Sequence, residues 1–320
     1  MARGPAGRND FRLQRYQYTR PRQSWGRRLP FLVAGVAGLA VAAVVIFGSP
    51  WSLPEAVFPS RQPALLELSN EGSYAEVLSR SAEVLAQRPL DAEALLFRGI
   101  AHFYLALAEA DRLDPAPRLD QAIIALRRAR LSGELRFRSE AAYVLGKAYY
   151  HRGPYFYDLA VRFLTESVEQ GYDGADTHEY LGMALVRSGA PESGVGHFRS
   201  ALERRPSGLL YLSVGQLLER LGEHQEAERH FLAAASAGDE ALEVRARFML
   251  GALLLQGGRH ADAGEQYRRI LDLAPGSADA HLFLGDVYAG LGDVAGARAE
   301  WRRARNIDRQ HHGANLRLRG

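Results

Sequence analysis

Six glycines recur at near-constant spacing in the middle of helical stretches, all but the first directly behind a hydrophobic residue: Gly99, Gly146, Gly182, Gly215, Gly251 and Gly285, at steps of 47, 36, 33, 36 and 34 residues. A period of this size marks an array of small supersecondary units. A second small residue follows each glycine, at Ala122, Ala160, Gly194, Ala227, Ala263 and Ala297. Four residues beyond it stands a large one: Leu126, Leu164, Phe198, Phe231, Tyr267 or Trp301. Gly285 lacks a side chain, so its helix can press close to Ala297 on the next helix, and Trp301 lies one turn further along the same face. Neither helix buries its apolar stripe alone. Paired helices stacked into one continuous core are therefore predicted, and an ordinary helical bundle with coincidental glycines is disfavoured because the whole pattern recurs in register.

Prolines close several units, at Pro89, Pro206 and Pro275. Leu-Gly, then small, then large and aromatic, then Pro at a period near 34 resembles the tetratricopeptide repeat, a helix-turn-helix unit that stacks into a superhelix. The last two units match best, with Leu250, Gly251, Ala263, Tyr267 and Pro275, then Leu284, Gly285, Tyr288, Ala297, Trp301 and Ala304. The resemblance implies an all-α solenoid over residues 64–311, with about six full units beginning near Ala92, Ser139, Ala175, Gly208, Val244 and Ala278. A degenerate first unit precedes them, carrying Val77, Ser81 and Val84 at the small, large and small positions. Residues 312–320 are read as a C-terminal cap or tail. Two units are irregular. From Gly99 to Ala122 the gap is 23 residues instead of 12, so either the first helix is longer or a loop projects, and the turn HRGPYFYD gives the next unit a gap of 14. Insertions of this kind map to surface loops, often on a binding side.

The chain has no cysteine, which excludes disulfides, thiolate catalysis and thiolate metal sites. Arginine supplies 39 of 40 basic residues, Lys147 being the single lysine, and with abundant Ala and Gly this is the composition of a GC-rich bacterial genome. Residues 1–28 carry eight arginines and one acid, a net +7, so with +3 over the whole chain the remainder carries −4. A nucleic-acid surface needs a basic stripe on the folded domain; the mildly acidic repeats argue against one.

From Leu29 to Phe47 the sequence is apolar, and no charge falls between Arg28 and Glu55. Nineteen helical residues span about 28 Å, close to the hydrocarbon thickness of a bilayer. Trp25 and Trp51 flank the run as interfacial anchors would. A cleaved signal peptide is the competing reading, but the apolar run is long and its exit lacks a small-residue cleavage site. The expected organisation is a basic cytoplasmic tail (1–28), a transmembrane helix (29–48), a Pro-rich linker (49–63) and the solenoid. Arginines before the span predict a cytoplasmic N-terminus, with the repeats across the bacterial inner membrane in the periplasm. Ala34, Gly38 and Ala42 form a small-residue row that leaves self-association open.

No catalytic motif, metal set or cofactor site is present in the sequence, so a non-catalytic binding protein is expected. The family's groove is lined by the first helix of each pair. Its positions carry over to Tyr143, Lys147, Tyr150 and His151, then Glu179, Met183 and Arg187, then Gln216, Glu219 and Arg220. The clamp by which some relatives hold a chaperone's terminal carboxylate is missing, since Lys147 stands alone and no asparagine falls in the groove. Tyr155 and Tyr157 join these candidates from the turn, because tyrosine is enriched at interfaces; the competing reading packs those aromatics on the neighbouring unit. The expected function is a membrane-anchored scaffold that assembles an envelope protein complex of the secretion, cytochrome-maturation or flagellar-collar kind. The rival is a tethered periplasmic chaperone for unfolded secreted chains.

Overall fold

The computed structural model describes residues 61–132, 135–172, 174–237 and 239–319. The predicted basic tail, transmembrane helix and nearly all of the linker lie outside the described residues. Among the described residues there are fifteen α-helices and no strand, and no helix is long and apolar enough to cross a membrane.

The helices pair as the spacing predicts. The degenerate first unit is α1 (Pro63–Asn70) with α2 (Tyr74–Gln87); the six full units are α3 (Ala92–Ala108) with α4 (Ala116–Leu131), α5 (Arg138–Arg152) with α6 (Tyr157–Glu169), α7 (Thr177–Ser188) with α8 (Pro191–Arg204), α9 (Gly208–Arg220) with α10 (His224–Ala235), α11 (Glu240–Gln256) with α12 (His260–Leu273), and α13 (Ala278–Gly290) with α14 (Val294–Ile307). The short helix α15 (His312–Arg319) follows. Pro63, placed by the sequence at the end of the linker, instead opens α1, where its missing N–H costs nothing.

Several first helices start on side-chain caps. Asp91 accepts from the Ala94 N–H at 2.9 Å, Ser207 from Leu210 at 3.1 Å and Ser277 from Ala280 at 3.2 Å. Five full units then turn through a glycine at positive φ: Gly153, Gly189, Gly222, Gly258 and Gly292. Each stands seven residues after its helix glycine. At Gly292 the turn closes with the Asp293 N–H donating to the Tyr288 carbonyl at 2.9 Å. The unit with the insertion has no such glycine. There α3 runs nine residues past Gly99, whereas α13 runs five past Gly285, and residues 109–115 form a link pinned by a two-pronged Arg118–Glu109 ion pair at 2.6 and 3.0 Å. A longer helix and a projecting loop both absorb the extra length.

The helix glycines serve a sharper purpose than expected. A Cβ at Gly285 would lie 2.5 Å from the Trp301 indole and 3.0 Å from the Ala297 carbonyl, and one at Gly146, Gly215 or Gly251 would lie 2.6–2.7 Å from Leu164, Phe231 or Tyr267. The glycine makes room first for the large residue of the partner helix, and the close approach to the small one follows. The predicted single core is divided into three. One buried cluster runs from Leu65 to Ala184, a second from Val195 to Val287, and a third surrounds Leu282, Ala297, Trp301 and Ala314. Partly buried Met183 joins the first two, and Tyr288 the last two. The first break falls at α7 and α8, where Gly194 replaces alanine and the space between the helices holds a polar pair, His178 Nδ1 and His197 Nδ1 at 3.0 Å.

Candidate functional site

Adjacent first helices touch at residues one repeat apart. The Tyr150 hydroxyl donates to Met183 Sδ at 3.6 Å, and Gln216 Nε2 donates to Met249 Sδ at 3.6 Å, both across 33 residues. These contacts set α5 beside α7 and α9 beside α11, each couple sharing one wall. Of the residues assigned to it, the α5 and α7 sets come together: Tyr143, Lys147, Tyr150 and His151 meet Glu179, Met183 and Arg187. Gln216, Glu219 and Arg220 sit further along on α9.

Burial divides the α5 residues. Tyr143 is 3% exposed and Lys147 5%. The Lys147 ammonium donates to Tyr143 Oη at 2.9 Å and to Asp176 Oδ2 at 2.8 Å, while the Tyr143 hydroxyl donates to the other Asp176 oxygen. It also lies over the Tyr180 ring at 4.3 Å and the Tyr143 ring at 4.9 Å. Burial pushes the Asp176 carboxyl up, but the Lys147 charge and the hydrogen bonds from Lys147 and Tyr143 outweigh it and hold the group below its ordinary value. Burial, reinforced by Asp176, raises the Tyr143 and Tyr180 phenols. Tyr143 and Lys147 thus brace α5 against the start of α7, and their polar ends are taken up inside the protein.

What the wall presents lies one turn further. His151 Nε2 is 3.0 Å from the Tyr180 hydroxyl, and burial, helped by the nearby Lys147 charge, lowers its pKa to about 4, so the ring is neutral at pH 7. Tyr150 is part-buried, with its ring 5.5 Å from Tyr180 and 5.6 Å from Tyr157. Burial raises its phenol, opposed by the Arg187 guanidinium. Glu179 is also raised, by burial first and then by the Asp176 charge. Arg187 and Arg220 are exposed, and Met183, Glu179, Gln216 and Glu219 half-buried. The result is a strip of aromatic, thioether and mixed-charge surface.

The turn between α5 and α6 divides as well. Gly153 leads into a single 3-10 turn, Pro154–Phe156. Phe156 folds back over Tyr149 with centroids 5.9 Å apart, and Tyr157 packs on Tyr150. Tyr155 projects outward, 94% exposed. Phe156 and Tyr157 pack inward, and Tyr155 of the same turn faces solvent.

Nothing in this strip makes a nucleophile. The Tyr143, Tyr150 and Tyr180 phenols are raised rather than lowered, and His151 is directed at a phenol. Among the described residues no three His, Asp or Glu side chains gather to hold a metal ion. Sequence reasoning passed over Asp176 and Tyr180. A single lysine on a helix face that is about to be covered requires an anion, and Asp176, 29 residues on and just before α7, was in view.

Two tetratricopeptide-repeat family profiles match residues 212–278 and 254–319. No curated protein matches the chain. Among solved structures, the C-terminal part of a repeat-containing protein from Cytophaga hutchinsonii is similar over 80% of this chain and 98% of its own, at TM-score 0.62 and 16% identity, a likeness of fold alone. MamA aligns over 54% of this chain and 92% of its own at TM-score 0.47 and 20% identity. The APC/C hetero-tetramer Cut9–Hcn1 aligns over 89% of this chain and 52% of its own at TM-score 0.42 and 16% identity.

Proposed function

We infer, from the premise that this chain is a tetratricopeptide-repeat protein, that it is a non-catalytic scaffold which binds protein partners along the wall formed by its first helices. The observation that carries this reading is the strip from Tyr150 through Met183 to Arg187, flanked by Tyr155. It offers aromatic and thioether area for an anchor side chain, with Glu179 and Arg187 beside it for polar contacts, the composition of interface hot spots. The buried Lys147–Tyr143–Asp176 bracing keeps that strip rigid, which limits the ordering cost of binding.

We place the scaffold at the bacterial inner membrane, held by residues 29–48, with its repeats outside the cytoplasm. The arginine excess before Leu29 and the uncharged run after it support this topology. A reporter that works only outside the cytoplasm, fused after Gly320, should be active; activity of a cytoplasm-only reporter there would overturn the localisation. The function itself is tested by crosslinking in native membranes. A scaffold for an envelope complex retains one or two partners after stringent washing. Recovery of many unrelated unfolded chains would instead favour a tethered chaperone.

A further inference from the structure

The edge of the solenoid at which each second helix hands over to the next first helix is basic in the first units. Residues 127–138, from the last turn of α4 to the start of α5, carry five arginines and one glutamate, a net +4, in a chain whose residues 29–320 sum to −4. Arg130 is taken by Glu166 of α6 at 2.5 Å, and Arg136 lies over the Phe137 ring at 5.1 Å. Arg127, Arg128 and Arg138 stay exposed, as does Arg88 in the preceding handover. Arg128 Nη2 donates to the Pro89 carbonyl at 3.2 Å, which joins the two handovers into one surface. Leu90 and Leu131, 63% and 83% exposed, stand beside the two ends of that bond. The following handover, residues 169–176, holds three acids and no arginine, so the basic edge ends there.

The opposite edge of the α3–α4 unit has the inverse charge. Its link, residues 109–115, carries three acids and one arginine, and the apolar tip Leu113 is 60% exposed. The chain enters on the basic side. Gln62, at the head of α1, donates from its backbone N–H to Glu93 Oε2 at 3.1 Å and from Nε2 to Asp91 Oδ2 at 3.2 Å, next to Leu90. On the membrane reading above, residues 49–60 reach about 40 Å at full extension, so the edge that receives them stays close to the bilayer.

We propose that the edge formed by Arg88, Leu90, Arg127, Arg128 and Leu131 docks on the anionic headgroup surface of the bilayer that anchors the chain. The inference rests on the membrane reading and adds a second contact to it. The guanidiniums meet lipid phosphates, and the two leucines leave water among the headgroups. Each contact is weak alone; the tether makes them intramolecular and so effective, and salt weakens the attraction. Docking leaves the opposite edge, with Leu113 and Tyr155, directed away from the bilayer and open to protein partners.

The test uses the full chain reconstituted into vesicles of phosphatidylglycerol and phosphatidylcholine in equal parts, and into vesicles of phosphatidylcholine alone. Because the protein has no cysteine, Leu131→Cys and Leu113→Cys each carry a single environment-sensitive fluorophore, read against nitroxide-bearing lipid. In the anionic vesicles the label at residue 131 should shift to the blue and be quenched by the nitroxide, while the label at residue 113 stays as in water. The neutral vesicles should give a smaller response. Arg88→Glu with Arg127→Glu should abolish the shift and the quenching with helical content unchanged, since both guanidiniums are exposed. A label at residue 131 that reads water, in anionic vesicles from which carbonate does not extract the protein, overturns the docking and leaves the anchor standing. Extraction by carbonate removes the anchor and this inference with it. Equal quenching at both sites, or quenching indifferent to the charge reversals, also overturns the docking; a blue shift without nitroxide quenching assigns the edge to a protein instead.

Discussion

A methyl group at residue 285 would reach within 2.5 Å of the Trp301 indole, and the indole cannot retreat without breaking its hydrogen bond to Asp286 at 3.1 Å. Gly285→Ala should therefore overpack the last full unit and cost about 1–3 kcal/mol in chemical denaturation. Because a solenoid couples nearest neighbours, hydrogen exchange should rise first in α13 to α15. The repeat glycines were legible because steric demand leaves a periodic mark on sequence. The turn glycines seven residues later carry the same periodicity, but their role depends on a positive φ that only the closed turn reveals. Burial of Tyr143 and Lys147 was not legible. Whether a groove position faces solvent depends on the helix laid beside it, and here Asp176 approaches and draws both polar ends inward. Replacing Lys147 by Met leaves that carboxylate without its cation. We expect a loss of about 2–3 kcal/mol, less than the ~3–5 kcal/mol of a fully buried pair, because Asp176 stays partly in contact with water. An unchanged urea midpoint would mean that the ammonium does not brace α5 against α7.

The elements that depart from the regular unit sit next to each other in the chain, the long α3 with its seven-residue link and the 3-10 turn after α5. The sequence marks both by an irregular gap, and the departures themselves were readable. Which turn side chain points out was not, since Tyr155 and Tyr157 are chemically alike and only the path of the chain through Gly153 and the Pro154–Phe156 turn separates them. The structure therefore splits one test into two. Tyr155→Ser should leave the melting temperature unchanged, because a ring 94% exposed contributes no packing, yet reduce recovery of a partner from crosslinked membranes. Tyr150→Ser should cost about 2–4 kcal/mol through loss of a part-buried ring packed on Tyr157 and Tyr180. Equal destabilisation by both changes would contradict the outward placement of Tyr155.

Across the whole solenoid, two histidines lie on helices of the N-terminal cluster, His102 between its members Ala101 and Phe103 and His151 against Phe103 and Tyr180. His102 on α3 is 9% exposed with neither ring nitrogen hydrogen-bonded among the described residues, and burial, reinforced by the Arg98 and Arg118 charges, lowers its pKa to about 4. His151 on α5, facing Lys147, Tyr180 and the Phe103 ring, is lowered to about 4 chiefly by burial. In the unfolded chain both return toward 6.5, so between about pH 6.5 and 4 the unfolded state binds more protons than the folded one. Stability contributed by these groups is complete above pH 6.5 and falls as the pH drops toward 4, where the loss levels off. Asp176 adds to the acid sensitivity at lower pH, because its depressed carboxyl must be protonated to release Lys147. Urea titrations at pH 7.5, 5.5 and 4.5 should show a falling midpoint. Since both histidines lie on helices of the N-terminal cluster, hydrogen exchange at pH 4.5 should accelerate in α3 to α6 before α9 to α14. His102→Leu should flatten the acid side of the curve, since an apolar side chain of similar size titrates nothing in that space. Retention of the full pH dependence in that variant would assign the acid response to the other groups held low in the folded chain, His151, His197, His230, Glu226 and Asp176.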